Sequence, residues 1–191
     1  MELQHINVKL YLQDSRAVKL EALVPVFHAW IQNRVCDELL IDVADYRHVH
    51  AGPGVVLIGH QADYSLDDTD DRLGIRYNRK ATVEGSNHDR FSQALRSALQ
   101  ACQRLESDEK LGDSIRFDRQ NIKLFVNDRM LAPNTGSPTD SVQAELRDFF
   151  EGALGHREFE MKFESNPRSL FGVTVRAARP VELDGVLARL T

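Results

Sequence analysis

One eight-residue segment occurs twice in this chain, and that repetition limits the folds open to it more than any other feature. Asn7-Val8-Lys9-Leu10-Tyr11-Leu12-Gln13-Asp14 aligns without a gap on Asn121-Ile122-Lys123-Leu124-Phe125-Val126-Asn127-Asp128. Asn, Lys, Leu and Asp are identical, the other pairs are conservative, and the shift is 114 residues. The same shift lays Pro53 on Pro167, each ahead of an apolar run, 55–58 in one case and 170–175 in the other. Between these anchors each half carries an amphipathic helical pattern and a second strand. The expectation is an internal duplication. It gives two pseudo-symmetric β-α-β-β-α halves, 1–112 and 113–191, packed as one compact unit. The fold class is α+β, a mainly antiparallel sheet with helices packed on one face, in ferredoxin-like-type layering.

Periodicity places the elements. Val8, Leu10 and Leu12 alternate with Lys9, Tyr11 and Gln13, and Ile122, Leu124 and Val126 alternate with Lys123, Phe125 and Asn127, as strands with one buried face do. A helix is expected over 18–33, with Leu20, Leu23, Phe27, Trp30 and Ile31 on one stripe, Ser15 as a possible cap, and Pro25 in its first turns or at a kink. Its counterpart over 141–154 turns Val142, Leu146, Phe149 and Phe150 inward, capped by Asp140 or Ser141 and ended by Gly155. A long helix over 88–106 and a short one over 181–190 complete the set. Further strands are expected at 38–46, 55–60 and 159–164, with an extra hairpin arm at 74–80 in the first half. A ferredoxin-like half needs a fourth strand, which the first strand of the second repeat can supply. The acidic stretch 63–72 and the stretch 129–139 read as loops.

Composition narrows the function classes. The chain has 191 residues and a formal charge of −5 without a basic block, which argues against a dedicated nucleic-acid partner. At this size roughly 70% of the unfolded surface is buried on folding, so no disulfide or cofactor is needed for stability, and none is expected. The N-terminal residues are polar and the longest apolar runs are strand-sized, so no signal peptide and no membrane partner are expected. Cys36 and Cys102 read as two reduced thiols in a cytoplasmic protein.

Candidate chemistry sits mostly in the first half. His48, His50 and His60 flank a Gly-Pro turn. With a two-residue turn at Ala51-Gly52, His48 and His60 lie too far apart to share one metal, which leaves His48 and His50 as a candidate chelating pair. In that register Asp45 lies diagonal to His60, an orientation suited to a general base, with Asp42 as a possible third catalytic group. The acidic cluster from Asp63 to Asp71 lacks the spacing of a calcium loop. Lys9 and Lys123, recurring beside Tyr11 and Phe125, are candidates for a pair of ligand-binding anion sites. No phosphate-binding glycine loop or hydrolase motif is present. The leading expectation is therefore a non-catalytic binding or assembly module for a protein partner or small ligand, with a homodimer among its candidate assemblies. The alternatives are a small-molecule enzyme using His60, Asp45 and Asp42, and a metal-binding protein using His48 and His50.

Overall fold

A computed structural model describes residues 2–50, 52–111, 114–134 and 140–190. The alternating segments pair into one antiparallel sheet. In chain order the elements are β1 (Ile6–Leu12), α1 (Leu23–Asn33), β2 (Leu40–Asp45), β3 (Val55–Gly59), β4 (Ala62–Asp67) and β5 (Gly74–Arg79). Then come α2 (Asn87–Glu106), β6 (Phe117–Val126), α3 (Asp140–Leu154), β7 (Phe159–Phe163), β8 (Gly172–Ala177) and α4 (Leu183–Arg189). The eight strands lie in the order β2-β3-β4-β5-β1-β6-β8-β7.

The strands' apolar parity decides which face the helices cover. Leu57, Tyr64, Tyr77, Val8, Leu124 and Val173 form one cross-strand row on that face. Val55, Leu66, Ile75, Leu10, Ile122 and Val175 form the next, and both rows belong to the same core as the helices' apolar stripes. Phe91, Leu95, Ala98 and Leu99 of α2 are buried there, and Phe149 and Phe150 of α3 continue the core toward Phe159. Each such side chain, fully buried, contributes about 1.5–3 kcal/mol relative to exposure, so the covered face dominates stability. Helix α2 starts with a capping box in which Ser86 and Asp89 satisfy each other's backbone amides. Helix α3 ends at Gly155, whose φ of +74° is the left-handed conformation that glycine adopts without a Cβ penalty.

The expected α+β layering is present, and the strand following α2 does lie beside β1. Lys9 stands directly opposite Lys123, so this repeated position meets its own counterpart across the antiparallel β1–β6 pair. The two halves differ in strand content, five against three, because the β4–β5 hairpin intervenes between β3 and β1 whereas β8 pairs with β6 directly. The duplication itself rests on the sequence match.

Several expectations are corrected. Residues 62–67, read mostly as an acidic loop, form strand β4: Ala62, Tyr64 and Leu66 point into the core while Asp63, Ser65 and Asp67 take the opposite face. Helix α1 begins only at Leu23, after a 3-10 turn at Leu20–Ala22. Pro25 therefore falls in its first turn, where its missing N–H costs little. No side chain caps the helix, and Ser15 lies well before it. Helix α3 begins at Asp140, so its capping position, like Ala51 and most of the loop around Gly136 and Pro138, lies outside the described residues.

The β2–β3 connection is longer than two residues. Tyr46 donates its N–H to the Gly54 carbonyl (2.8 Å), and Val49 N–H to the Tyr46 carbonyl (2.9 Å), building a broad turn. The register becomes Asp45 opposite Val55, Val43 opposite Leu57 and Asp42 opposite Ile58, with a bulge before Leu40 meets Gly59.

Candidate anion-binding face

The face of the sheet turned away from the helices has an unusual interior. Its central cross-strand row runs Ser65, Arg76, Lys9, Lys123, Thr174, Lys162 over strands β4, β5, β1, β6, β8 and β7. Three cations stand on adjacent strands and a fourth two strands further on. Like charges directly opposite on neighbouring strands are destabilising, so a row of this kind needs compensation.

Part of that compensation is built in. Lys9 and Asp67 have side chains only 1% exposed, and the ammonium donates to Asp67 Oδ1 at 2.6 Å and to the Thr69 carbonyl at 2.7 Å. Asp67 also accepts from the Thr69 N–H (3.2 Å) and the Ser65 hydroxyl (3.5 Å), and Arg76 approaches it at 3.8 Å. Arg76 donates from Nε to Asn7 Oδ1 at 3.0 Å and lies 4.9 Å above the Phe125 ring. Arg72 covers Tyr11 at 4.0 Å and pairs with Asp118 at 3.1 Å. These guanidinium–ring contacts bury Tyr11 and Phe125 on the face the helices leave uncovered.

The chain segment after β7 leans over this face and makes two cavities. One, of about 220 Å³, is walled by Lys9, Asp67, Arg76, Lys123, Phe125 and Glu164, with Ser169 and Leu170 at its rim. The other, of about 330 Å³, is walled by Tyr11, Lys123, Lys162, Phe163, Glu164 and Thr174, with Gly172 and Val173 in its floor. Both cavities share Lys123 and Glu164. Gly172 is where β8 comes closest to Phe125: a Cβ there would lie 2.8 Å from Phe125 Cβ. Chemically the arrangement can hold negative charge.

The sequence-derived candidates separate. Lys9, Tyr11 and Lys123 come together on this face, on central strands. Asp45 is not brought beside His60, while Asp42, opposite Ile58, stands two positions from His60. His60 follows β3, with its N–H donating to the Leu39 carbonyl at 2.7 Å. Asp45 is opposite Val55, five residues from His60 along the strand direction, or about 17 Å. Its carboxylate is instead gripped by Arg47, Nε to Oδ1 at 2.8 Å and Nη2 to Oδ2 at 2.6 Å, and the guanidinium extends to Glu21 at 3.1 Å. Those bonds from Arg47 hold the Asp45 carboxyl down at about 2. Asp42 is exposed and accepts from the Val43 N–H at 2.8 Å. His48 and His50 lie exposed in the turn after β2, and among the described residues no three His, Cys, Asp or Glu side chains are grouped as metal ligands.

Sequence reasoning missed Asp67, Arg76 and Lys162. The available signal was strand parity: each stands at a polar position of a segment whose alternate residues are apolar, as Lys9 and Lys123 do. A second buried carboxylate lies on the helix side, where Glu38 accepts hydroxyl bonds from Tyr77 (2.7 Å) and Tyr64 (2.8 Å). It has the partners of a satisfied core charge. Burial pushes the Cys36 thiol up to about 11 and Cys102 well above its ordinary value, which leaves neither as a poised nucleophile.

No described helix is long and apolar enough to cross a membrane. No protein-family model matches the chain, and no curated protein is significantly similar to it in sequence.

Proposed function

We propose that this protein is a non-catalytic binding module that takes a small anionic ligand on the helix-free face of its sheet. The observation that carries the reading is the row Arg76, Lys9, Lys123 and Lys162 bordering two cavities with a shared wall. A row of cations in a partly dry setting costs stability, and a ligand that neutralises it recovers some of that cost. Phe125, Phe163 and Leu170 give the cavities the mixed apolar and polar lining of small-molecule sites.

The test is a titration of the isotope-labelled full chain with sodium acetate and with inorganic phosphate, followed by amide NMR at constant ionic strength. Shifts should concentrate at residues 9–11, 67–69, 123–125 and 162–174 and weaken strongly in Lys123→Gln. Shifts absent, or spread evenly over the surface, would refute the site. A second reading, self-association through the sheet edge, is favoured by the exposed Leu39, just before the edge strand β2, and the exposed Ile41 within it. Sedimentation should then show a dimer that Ile41→Lys converts to monomer; a monomer in the unaltered protein removes that reading.

A further inference from the structure

Resting on the anion-site reading, we infer that the ligand is a linear dianion, two carboxylate groups on a short flexible spacer, spanning both cavities at once. The first argument is the charge count of each cavity. Lys9, Arg76 and Lys123 face Asp67 and Glu164 in the smaller one, and Lys123 and Lys162 face Glu164 in the larger. Each cavity has an excess of one positive charge when its shared members are counted in both. One unit of negative charge per cavity suits a carboxylate; a phosphate group, at about −1.5 to −2 near neutrality, would over-neutralise each half and crowd Asp67 and Glu164.

The second argument is spacing. Neighbouring strands are about 4.8 Å apart, so a group centred between Lys9 and Lys123 and another centred between Lys123 and Lys162 lie about 7 Å from each other. That is the span of two carboxylates separated by several methylenes.

The third is what lies between. Gly172, in the larger cavity, contributes no side chain, and Phe125 of the smaller cavity lies opposite it on the next strand. Thr174, on the strand between Lys123 and Lys162, lies under the second carboxylate and adds no negative charge to that end of the track. Glu164, whose carboxylate accepts from the Asn166 N–H at 2.9 Å, stands on the shared wall and disfavours a third negative group at the centre. A spacer that carries no further acid fits these surroundings.

The experiment is calorimetric or NMR titration of the full chain with acetate and with the α,ω-dicarboxylates from malonate to suberate at fixed ionic strength. Affinity should peak at the members whose carboxylates reach about 7 Å, at least roughly tenfold tighter than acetate, because the second group binds intramolecularly. Lys162→Gln, an exposed position whose fold is checked by the amide spectrum, should bring the best dicarboxylate down to the affinity that acetate has for the same variant, and a dicarboxylate that keeps its advantage over acetate there overturns the two-cavity span. A flat series with acetate still binding overturns the dianion and leaves the anion site standing. Tighter binding of methylenebisphosphonate than of any dicarboxylate overturns the charge class. No binding of any of these ligands overturns both this inference and the site it rests on.

Discussion

Replacing Asp67 by Asn should be among the most damaging single substitutions on the helix-free face, although the two side chains have nearly the same shape. Asp67 is fully buried, and its carboxylate is the acid against which Lys9 is buried, 2.6 Å away. The amide leaves the Lys9 ammonium in the same dry position with Arg76 and Lys123 on the flanking strands. Breaking a buried pair by removing one member typically costs about 3–5 kcal/mol. Lys9→Met is milder, about 2 kcal/mol, because Asp67 keeps Arg76 at 3.8 Å and the bonds from Thr69 and Ser65. The double variant Lys9→Met with Asp67→Asn removes both charges together and should be more stable than Asp67→Asn alone. Urea unfolding followed by circular dichroism reads this directly: with a slope of about 2 kcal/mol per molar, Asp67→Asn moves the midpoint down by roughly 2 M. A loss below about 1 kcal/mol, or a double variant as unstable as the sum of the singles, would mean that Lys9 and Asp67 are solvated rather than paired. The account of the charged row would then be wrong.

Two other outcomes follow from groups away from that face. The Asp45 carboxyl is held at about 2 by Arg47, below its ordinary value of 3.8. Its contribution to stability is thus complete above about pH 4 and disappears as the pH falls through 2, and Arg47→Met should raise its NMR titration midpoint to an ordinary carboxylate value; an unchanged midpoint refutes the pairing. Tyr77→Phe removes the 2.7 Å hydroxyl bond to the buried Glu38 and should cost about 1.5–3 kcal/mol in chemical denaturation, whereas a loss under 0.5 kcal/mol would show that Glu38 does not depend on it.

How far the sequence carried depends on whether a feature is local. Strand β1, the part of β6 from Asn121 to Val126 and helix α2 were legible because alternation or a 3.6-residue stripe runs through them, whereas the uniformly polar Asp118–Asn121 hid the first half of β6. Strand β4 was hidden because Asp63 and Asp67 made it look like a solvated tip. Their parity, opposite to Tyr64 and Leu66, was the clue, and their countercharges come from elsewhere, Lys80 from just past β5 and Lys9 from β1. The hairpin register failed for a similar reason. Nothing in Tyr46–Gly54 announces that the turn closes with a Tyr46–Gly54 bond, and a slip of this kind separates His60 from Asp45. Of the face now proposed to bind a ligand, only the repeated lysines and Tyr11 could be named. Arg76, Asp67 and Lys162 join them only through the lateral order of strands, which is a property of the sheet as a whole.

The position of β1 also governs how the chain can reach its folded state. This early strand sits in the middle of the sheet, between a neighbour that begins at Gly74 and another that begins at Phe117. Both contacts close long loops, so the pairing entropy is spent before the central rung is secured, and folding should fall on the slow, millisecond-to-second side for a chain of this class. During synthesis β1 would wait with one open edge until residues 117–126 leave the ribosome. Before residues 62–67 emerge, the Lys9 side chain has no Asp67 carboxylate to pair with and acts as a gatekeeper that discourages premature pairing with other chains.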